Sequence, residues 1–184
     1  ALRNGKNVVS ASKKMIAEHL PVLLELQQQT GKSLLYEAAA CASIPVIRNL
    51  EEYYDNDLLH SIKAIVNGST NFILTKIFEE GLDFKQALLH AQQAGFAESN
   101  PKLDVEGYDA VNKWVFLLTH AYGIVENPEA ILFNGIQNIH ASDAVVARAK
   151  QKEIKLVAQA QKLSNGKVAA FILPQFVNHD DHLA

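Results

Sequence analysis

The sequence has few of the features that mark specialised classes of protein. It contains one cysteine, Cys41, among 184 residues, which excludes an internal disulfide and favours a reducing cytoplasm. Its 9 glycines and 5 prolines are too few for a collagen-like or low-complexity fibre. Its apolar runs are far shorter than the roughly 20 residues of a membrane-spanning helix, so no membrane association is expected.

An excess of one charge is also lacking. The 17 Lys and Arg residues oppose 20 Asp and Glu residues, for a formal net charge of −3, and without a basic run the chain is not expected to bind nucleic acid. A hydrophobic content of 48% excludes disorder and predicts a globular chain. The histidines show no H-X-X-X-H spacing, and no glycine-rich phosphate-binding motif occurs, so neither a zinc site of that type nor a phosphate loop is predicted.

Hydrophobic periodicity predicts a strand–helix–strand opening, from which we expect two parallel neighbouring strands. The first strand is predicted at residues 6–10, the helix at 13–29, and the second strand at 33–40. Ser12 is the expected N-cap, Gly31 the helix end, and Pro21 an interruption or kink. The remaining predicted helices cover residues 45–54, 70–80, 83–94, 108–122 and 143–153, with strands at 59–66, 154–161 and 168–173, the last two joined as a hairpin through residues 164–166.

The densest group of ionisable side chains lies between Gly95 and Lys113. Several carboxylates near one lysine can bind an amino group and tune the lysine as an acid or base. On spacing alone, however, Asp109 and Lys113 are better explained as an ordinary i,i+4 surface pair, and Asp104 as a turn cap.

Two further segments suggest binding sites. Asn67-Gly68-Ser69-Thr70-Asn71 joins a predicted strand to a helix, where free backbone N–H groups can face a carboxylate; an N-cap with a turn is an equally good interpretation. The run from Tyr36 to Pro45 leaves a predicted strand with one acid and several small residues, whose carbonyl groups suit a hard cation. Close packing of small side chains is the alternative there.

Taken in order, these segments resemble homoserine dehydrogenase. The resemblance begins with Ala1-Leu2, Gly5-Lys6, Val8-Val9 and Ser10-Ala11-Ser12-Lys13, continues through Tyr36-Glu37-Ala38 and the Asn67–Asn71 junction, and is most specific between Ala91 and Lys113. The chain departs from the family pattern at a few positions: Ser12 stands in place of an asparagine, Asn100 stands in place of an acid, and Ala40, Ala42 and Ser43 are smaller or more polar than usual. The resemblance favours a catalytic role for the carboxylate-rich segment.

The resemblance also implies a role for each site residue. Lys113 is expected to be the general acid/base, Lys13 to steer the aldehyde oxygen and the nicotinamide edge, and Asp109 to orient Lys113. The expected substrate-binding residues are Glu98, Asp104, Gly68, Ser69 and Thr70. Ser10, Ser12 and Lys13 are expected to contact NADP or NAD, and Glu37 with the carbonyls of Ala40, Ala42 and Ile44 to hold a monovalent cation, sodium in this interpretation.

The fold implied is α+β, with a mixed sheet covered by helices and attached to the C-terminal remnant of a Rossmann nucleotide-binding domain. Residues 1–36 would be that remnant and residues 37–184 a truncated catalytic and dimerisation domain, so the chain is expected to be an internal fragment, inactive by itself, without the glycine-rich cofactor loop. The implied reaction interconverts L-aspartate 4-semialdehyde and L-homoserine in threonine, methionine and isoleucine biosynthesis, and a homodimer is expected through residues 154–173. The alternative is a non-catalytic module that binds an amino acid or dimerises.

Overall fold

The computed structural model describes residues 1–54 and 58–184, and over these ranges it contains eight α-helices and six strands. The helices are α1 (Lys13–Thr30), α2 (Glu37–Cys41), α3 (Val46–Tyr53), α4 (Gly68–Glu80), α5 (Phe84–Gln93), α6 (Lys102–Val105), α7 (Tyr108–Tyr122) and α8 (Ala141–Ala149). The strands are β1 (Val8–Val9), β2 (Leu34–Leu35), β3 (Ser61–Ala64), β4 (Leu132–Phe133), β5 (Lys152–Lys162) and β6 (Val168–Asn178). The predicted α+β class with a mixed sheet is confirmed.

The chain divides into two compact units. The first comprises residues 1–60 and 111–131, and the second comprises residues 61–110 and 132–184. Helix α7 contributes its first turn to the second unit and the rest of its length to the first.

In the first unit, β1 precedes α1 in the sequence and β2 follows it, and the two strands pair in parallel, as predicted. Helix α1 ends at Gly31, whose φ of 62° lets its N–H reach the carbonyl of Gln27. The predicted break at Pro21 is absent, because α1 continues through it. Ser12 occupies the N-cap position, but its side chain makes no capping hydrogen bond.

The second predicted strand is wrong beyond Leu35. Residues 37–41 form α2 instead, because glutamate followed by three alanines strongly favours a helix and an acidic residue is favourable in its first turn. Helix α3 then follows Pro45 as predicted.

The second unit is built on a four-stranded sheet in the order β3-β5-β6-β4. β5 pairs antiparallel with both β3 and β6, and β4 pairs parallel with β6. Helices α4 and α8 pack against β5. On α4, the buried residues Thr70, Ile73, Leu74, Ile77 and Phe78 recur at helical spacing and form one continuous apolar face.

Three details of the second unit differ from the sequence prediction. Asp143 does not begin α8: it lies in the first turn, where its carboxylate accepts the N–H of His140 at 2.8 Å. The helix ends at Ala149, and residues 152 and 153 belong to β5. Helix α6 and strand β4, both short, were not predicted. The β5–β6 hairpin and α7 agree with the prediction.

Candidate active site

Two carboxylates of the carboxylate-rich segment are brought together by one amide side chain. Nδ2 of Asn67 donates to Oδ1 of Asp104 at 2.7 Å and to Oδ2 of Asp109 at 2.9 Å. Asp104 lies in α6 and Asp109 in the first turn of α7. Both aspartates are half-buried, and Asn67 is 4% exposed. The structure therefore places these two carboxylates around one buried amide.

The turn between α6 and α7 depends on two glycines. Gly107 joins the helices with a φ of 92°, a conformation that residues with a Cβ rarely adopt. A Cβ on Gly135 would lie 1.9 Å from the carbonyl oxygen of Val105, so only glycine allows residues 133–136 to pack against this turn. The N–H of Ile136 then donates to that same carbonyl at 2.7 Å. This packing fixes the backbone that carries both aspartates.

The hydroxyl groups of the Asn67–Asn71 junction are engaged with the protein backbone. Gly68 is the first residue of α4. Ser69 Oγ donates to the carbonyl oxygen of Phe96, and Thr70 Oγ1 donates to that of Asn67 at 3.1 Å. Thr70 is fully buried, whereas Ser69 is half-buried. These bonds fix the start of α4 against the loop that follows α5.

Glu98 lies in that loop and its side chain is exposed. The loop is held to α4 by stacking of Phe72 on Phe96, with ring centroids 4.4 Å apart. Gln92 Nε2 donates to the carbonyl oxygen of Glu98 at 2.9 Å.

In the first unit, the environment of Cys41 links the two candidate lysines. Burial raises the pKa of the Cys41 thiol, while the positive charges of Lys113 and Lys13 lower it and the charge of Glu37 raises it. Lys113 has the larger influence of the two lysines. Both lysines are half-buried, and both act electrostatically on the same thiol.

The residues expected to contact the nucleotide lie at the end of β1. Ser10 Oγ accepts the N–H of Ser12 at 3.1 Å, and the Ser10 N–H donates to the carbonyl of Leu35 at 2.9 Å. Lys13 follows as the first residue of α1. Since the Ser12 side chain is exposed and makes no capping bond, its hydroxyl is available to a ligand.

The residues expected to hold a cation surround the end of α2. The chain turns sharply at Ala42, where φ is 53°, and the last carbonyls of a helix have no partner within it. The Glu37 carboxylate accepts two backbone N–H groups of α3, and each oxygen keeps a lone pair. Oxygens of this kind suit a hard cation. In the described part of the chain, no group of three or more His, Cys, Asp or Glu side chains is arranged to hold a metal ion.

Sequence reasoning missed two important residues, Asn67 and Gly135. The sequence singles out Asn67 only as part of the Asn67–Asn71 junction, with an N-cap as the alternative, and its Oδ1 does perform the N-cap role by accepting the Thr70 N–H at 2.8 Å. Its second role depends on residues 37 and 42 positions further along the chain, which no local pattern reveals. Gly135 was not singled out, because nothing in the neighbouring sequence indicates a close backbone approach.

Comparison with known proteins identifies the family of this chain. The sequence model of the homoserine dehydrogenase family matches residues 45–184. The homoserine dehydrogenase of Lactococcus lactis is 34% identical over 183 residues, which covers 100% of this chain and 42% of that protein. The chain therefore spans about two fifths of the length of this relative.

Solved structures give the same result. The crystal structure of a homoserine dehydrogenase from Thiobacillus denitrificans superimposes with a TM-score of 0.93 at 30% identity, covering 98% of this chain and 42% of that one. A hyperthermophilic archaeal homoserine dehydrogenase in complex with NADPH superimposes with a TM-score of 0.76 at 30% identity, covering 99% of this chain and 52% of that one. Among the described residues, no helix combines the length and apolar character needed to cross a membrane. The chain belongs to the homoserine dehydrogenase family.

Proposed function

We propose that this chain carries the substrate-binding and proton-transfer residues of an NAD(P)-dependent homoserine dehydrogenase. The reaction interconverts L-aspartate 4-semialdehyde and L-homoserine. The observation that carries the proposal is the Asp104–Asn67–Asp109 cluster, held by hydrogen bonds of 2.7 and 2.9 Å, whose two aspartates lie in the segment with the most specific resemblance to the family. Half-buried carboxylates in a fixed arrangement suit a substrate that carries an ammonium group.

The substrate contacts are assigned by charge. Asp104 and Glu98 bind the ammonium group, and Gly68, Ser69 and Thr70 form the junction that faces the rest of the substrate. Ser69 is half-buried, and we assign it a direct contact with the substrate, while the buried Thr70 maintains the backbone around it.

Proton transfer is assigned to Lys113. When the carbonyl carbon of the aldehyde is reduced, negative charge develops on its oxygen, and the Lys113 ammonium donates a proton to that oxygen. In the opposite direction, the neutral amine accepts the hydroxyl proton of homoserine. Asp109, four residues earlier on α7, orients the lysine, and Lys13 stabilises the developing negative charge.

The nucleotide and the cation are assigned to the first unit. NAD(P), when bound, supplies or accepts the hydride, and Ser10, Ser12 and Lys13 are the residues of this chain that contact it. Support comes from the exposed hydroxyl of Ser12 and from the NADPH complex of the archaeal homologue. Glu37 and the carbonyls of Ala40, Ala42 and Ile44 hold sodium. We assign residues 1–36 to the nucleotide-binding part and residues 37–184 to the catalytic part.

The proposal includes a homodimer whose interface is formed by residues 154–173. It also places the protein in a reducing cytoplasm. Strand β4 pairs with β6 only at Phe171 and Ile172, so the rest of that edge of β6 is open to a second copy within the described sheet.

The test, made on the full-length protein of which this chain is a part, is the formation of NADPH from NADP⁺ on addition of L-homoserine, together with calorimetric binding of L-homoserine with and without sodium. Lys113→Ala is expected to lower kcat by roughly a hundredfold to ten-thousandfold while leaving NADPH affinity nearly unchanged. The matched control is Lys102→Ala, since Lys102 is exposed and lies outside the site. Turnover near that of the unmodified protein in Lys113→Ala would remove Lys113 from this role.

A further inference from the structure

The side-chain amide of Asn67 forms hydrogen bonds with three different residues. Oδ1 accepts the Thr70 N–H at 2.8 Å, and Nδ2 donates to Asp104 and Asp109 at 2.7 and 2.9 Å. The orientation of the amide is unambiguous, because only an oxygen can face an N–H donor and only the NH₂ group can face two carboxylates. The residue is 4% exposed, so water does not substitute for these partners.

Helix capping alone does not account for asparagine at this position. Ser, Asp and Asn are about equally good N-caps. Serine, however, would leave both carboxylates without this donor, and aspartate would add a third negative charge beside two others, at distances where like charges repel strongly. Only asparagine both caps α4 and donates a hydrogen bond to each carboxylate.

We propose that Asn67 is a positioning residue that fixes Asp104 and Asp109 relative to each other, so that Asp104 presents a preorganised carboxylate to the substrate ammonium group. This inference rests on the proposed function of the site. Asn67 acts through the two aspartates and makes no contact with the reacting atoms. Its donors offset the mutual repulsion of the two carboxylates, and its link to α4 ties their position to the Gly68–Thr70 junction.

The first test variant is Asn67→Ser in the full-length protein, which retains a cap for α4 and removes both donors. Because loss of a charge-assisted hydrogen bond frees Asp104 to move, the KM for L-homoserine is expected to rise by roughly tenfold to a hundredfold. Asn67→Asp is expected to raise it further. The control is Asp83→Ala, which removes the N-cap of α5 and is expected to lower Tm with little change in KM.

The decisive readout is selectivity for the ammonium group. L-Homoserine and 4-hydroxybutanoate share the same carbon chain, but the second lacks the amino group. In Asn67→Ser, calorimetric affinity for L-homoserine is expected to fall, whereas the weaker affinity for 4-hydroxybutanoate stays the same. If Asn67 had a purely structural role, the affinity for both ligands would fall by the same factor, and that result would overturn the inference.

The failure of this inference is distinguishable from that of the proposed function. If the unmodified protein binds L-homoserine and forms NADPH, but Asn67→Ser keeps its KM and its selectivity, only the positioning role is wrong. If the unmodified protein neither binds L-homoserine nor forms NADPH, the proposed function is wrong, and the role of Asn67 is overturned with it.

Discussion

Glu37 and Ile47 are joined by a hydrogen bond in which the Ile47 N–H donates to Oε1 of Glu37 at 2.9 Å. Oε2 accepts the Arg48 N–H at 3.1 Å. Because both donors lie in the first turn of α3, whose N–H groups have no partner within the helix, a side chain of α2 caps α3. Pro45, at the N-cap position, makes no side-chain cap.

Glu37→Ala is therefore expected to lower the free energy of unfolding by about 1–2 kcal/mol, as measured by urea denaturation. Glu37→Gln should lose less, because its amide oxygen still accepts one of the two N–H groups. The control is Glu52→Ala, since Glu52 forms only an exposed i,i+4 pair with Arg48, worth about 0.2–0.5 kcal/mol. Equal losses in the Glu37→Ala and Glu52→Ala variants would contradict the capping role.

Elements with a strong local pattern could be predicted from the sequence. Helix α7 begins and ends where predicted, at Tyr108 and Tyr122, because its apolar stripe is long and uninterrupted. The segment 37–41 could not be distinguished from a strand by periodicity, since alanine fits either pattern. Its helix is stabilised in part by Glu37, whose carboxylate is fixed by residues of α3.

The candidate site shows a similar limit. The chemistry of Asp104 and Asp109 is apparent from the sequence, because acidic side chains cluster in one short segment. Their connection is not, because it depends on Asn67 and on the approach of Gly135 to Val105, which are distant in the sequence. The local role of Asn67 as an N-cap is correct, but it accounts for only one of the three hydrogen bonds that the residue makes.

Tyr36, His120 and Glu51 form a hydrogen-bonded series in the first unit. Tyr36 Oη lies 2.7 Å from Nε2 of His120, and Nδ1 of His120 lies 2.7 Å from Oε1 of Glu51. Because an ionised carboxylate only accepts, Nδ1 of His120 is the donor to Glu51. Burial and the nearby Glu51 charge raise the pKa of Tyr36 from 10.0 to about 12.

Because folding raises the pKa of Tyr36, its contribution to stability is fully present below pH 10 and is lost as the pH rises to about 12. The loss is expected to be about 2 kcal/mol in the free energy of unfolding. Denaturation across this range should show a steeper decline in the unmodified protein than in Tyr36→Phe. Tyr54→Phe, at an exposed position, is the control and should decline like the unmodified protein. The same slope in all three proteins would exclude the effect.

Gly135 is expected to tolerate no side chain. In Gly135→Ala the new Cβ would lie 1.9 Å from the Val105 carbonyl oxygen, so the α6–α7 turn must shift, at a cost of about 1–3 kcal/mol. Since that turn carries Asp104 and Asp109, affinity for L-homoserine should fall as well. The matched control is Gly166→Ala in the β5–β6 hairpin, where a Cβ has open space and the cost is the positive φ alone. Loss of stability is expected in both variants, but loss of affinity in Gly135→Ala only. Unchanged homoserine affinity in that variant would show that the turn does not control the site.

Cys41 provides a direct measurement of the two candidate lysines, because it is the single cysteine of the chain. Its rate of alkylation by iodoacetamide follows the fraction of thiolate. Lys113 and Lys13 lower the thiol pKa, so Lys113→Met and Lys13→Met should each raise it and slow alkylation at a fixed pH. The larger change is expected for Lys113. Glu37→Gln should act in the opposite direction, because the charge of Glu37 raises the pKa.

The control is Lys14→Met, since Lys14 is exposed, pairs with Glu18, and does not influence Cys41. Its alkylation rate should match that of the unmodified protein. In the unmodified protein, L-homoserine and NADPH bound around the lysines are expected to slow alkylation, because bound ligand reduces access to the thiol. If Lys113→Met and Lys14→Met react at the same rate, the Lys113 ammonium does not act on the thiol. That result would contradict the electrostatic link between Lys113 and Cys41 in the first unit.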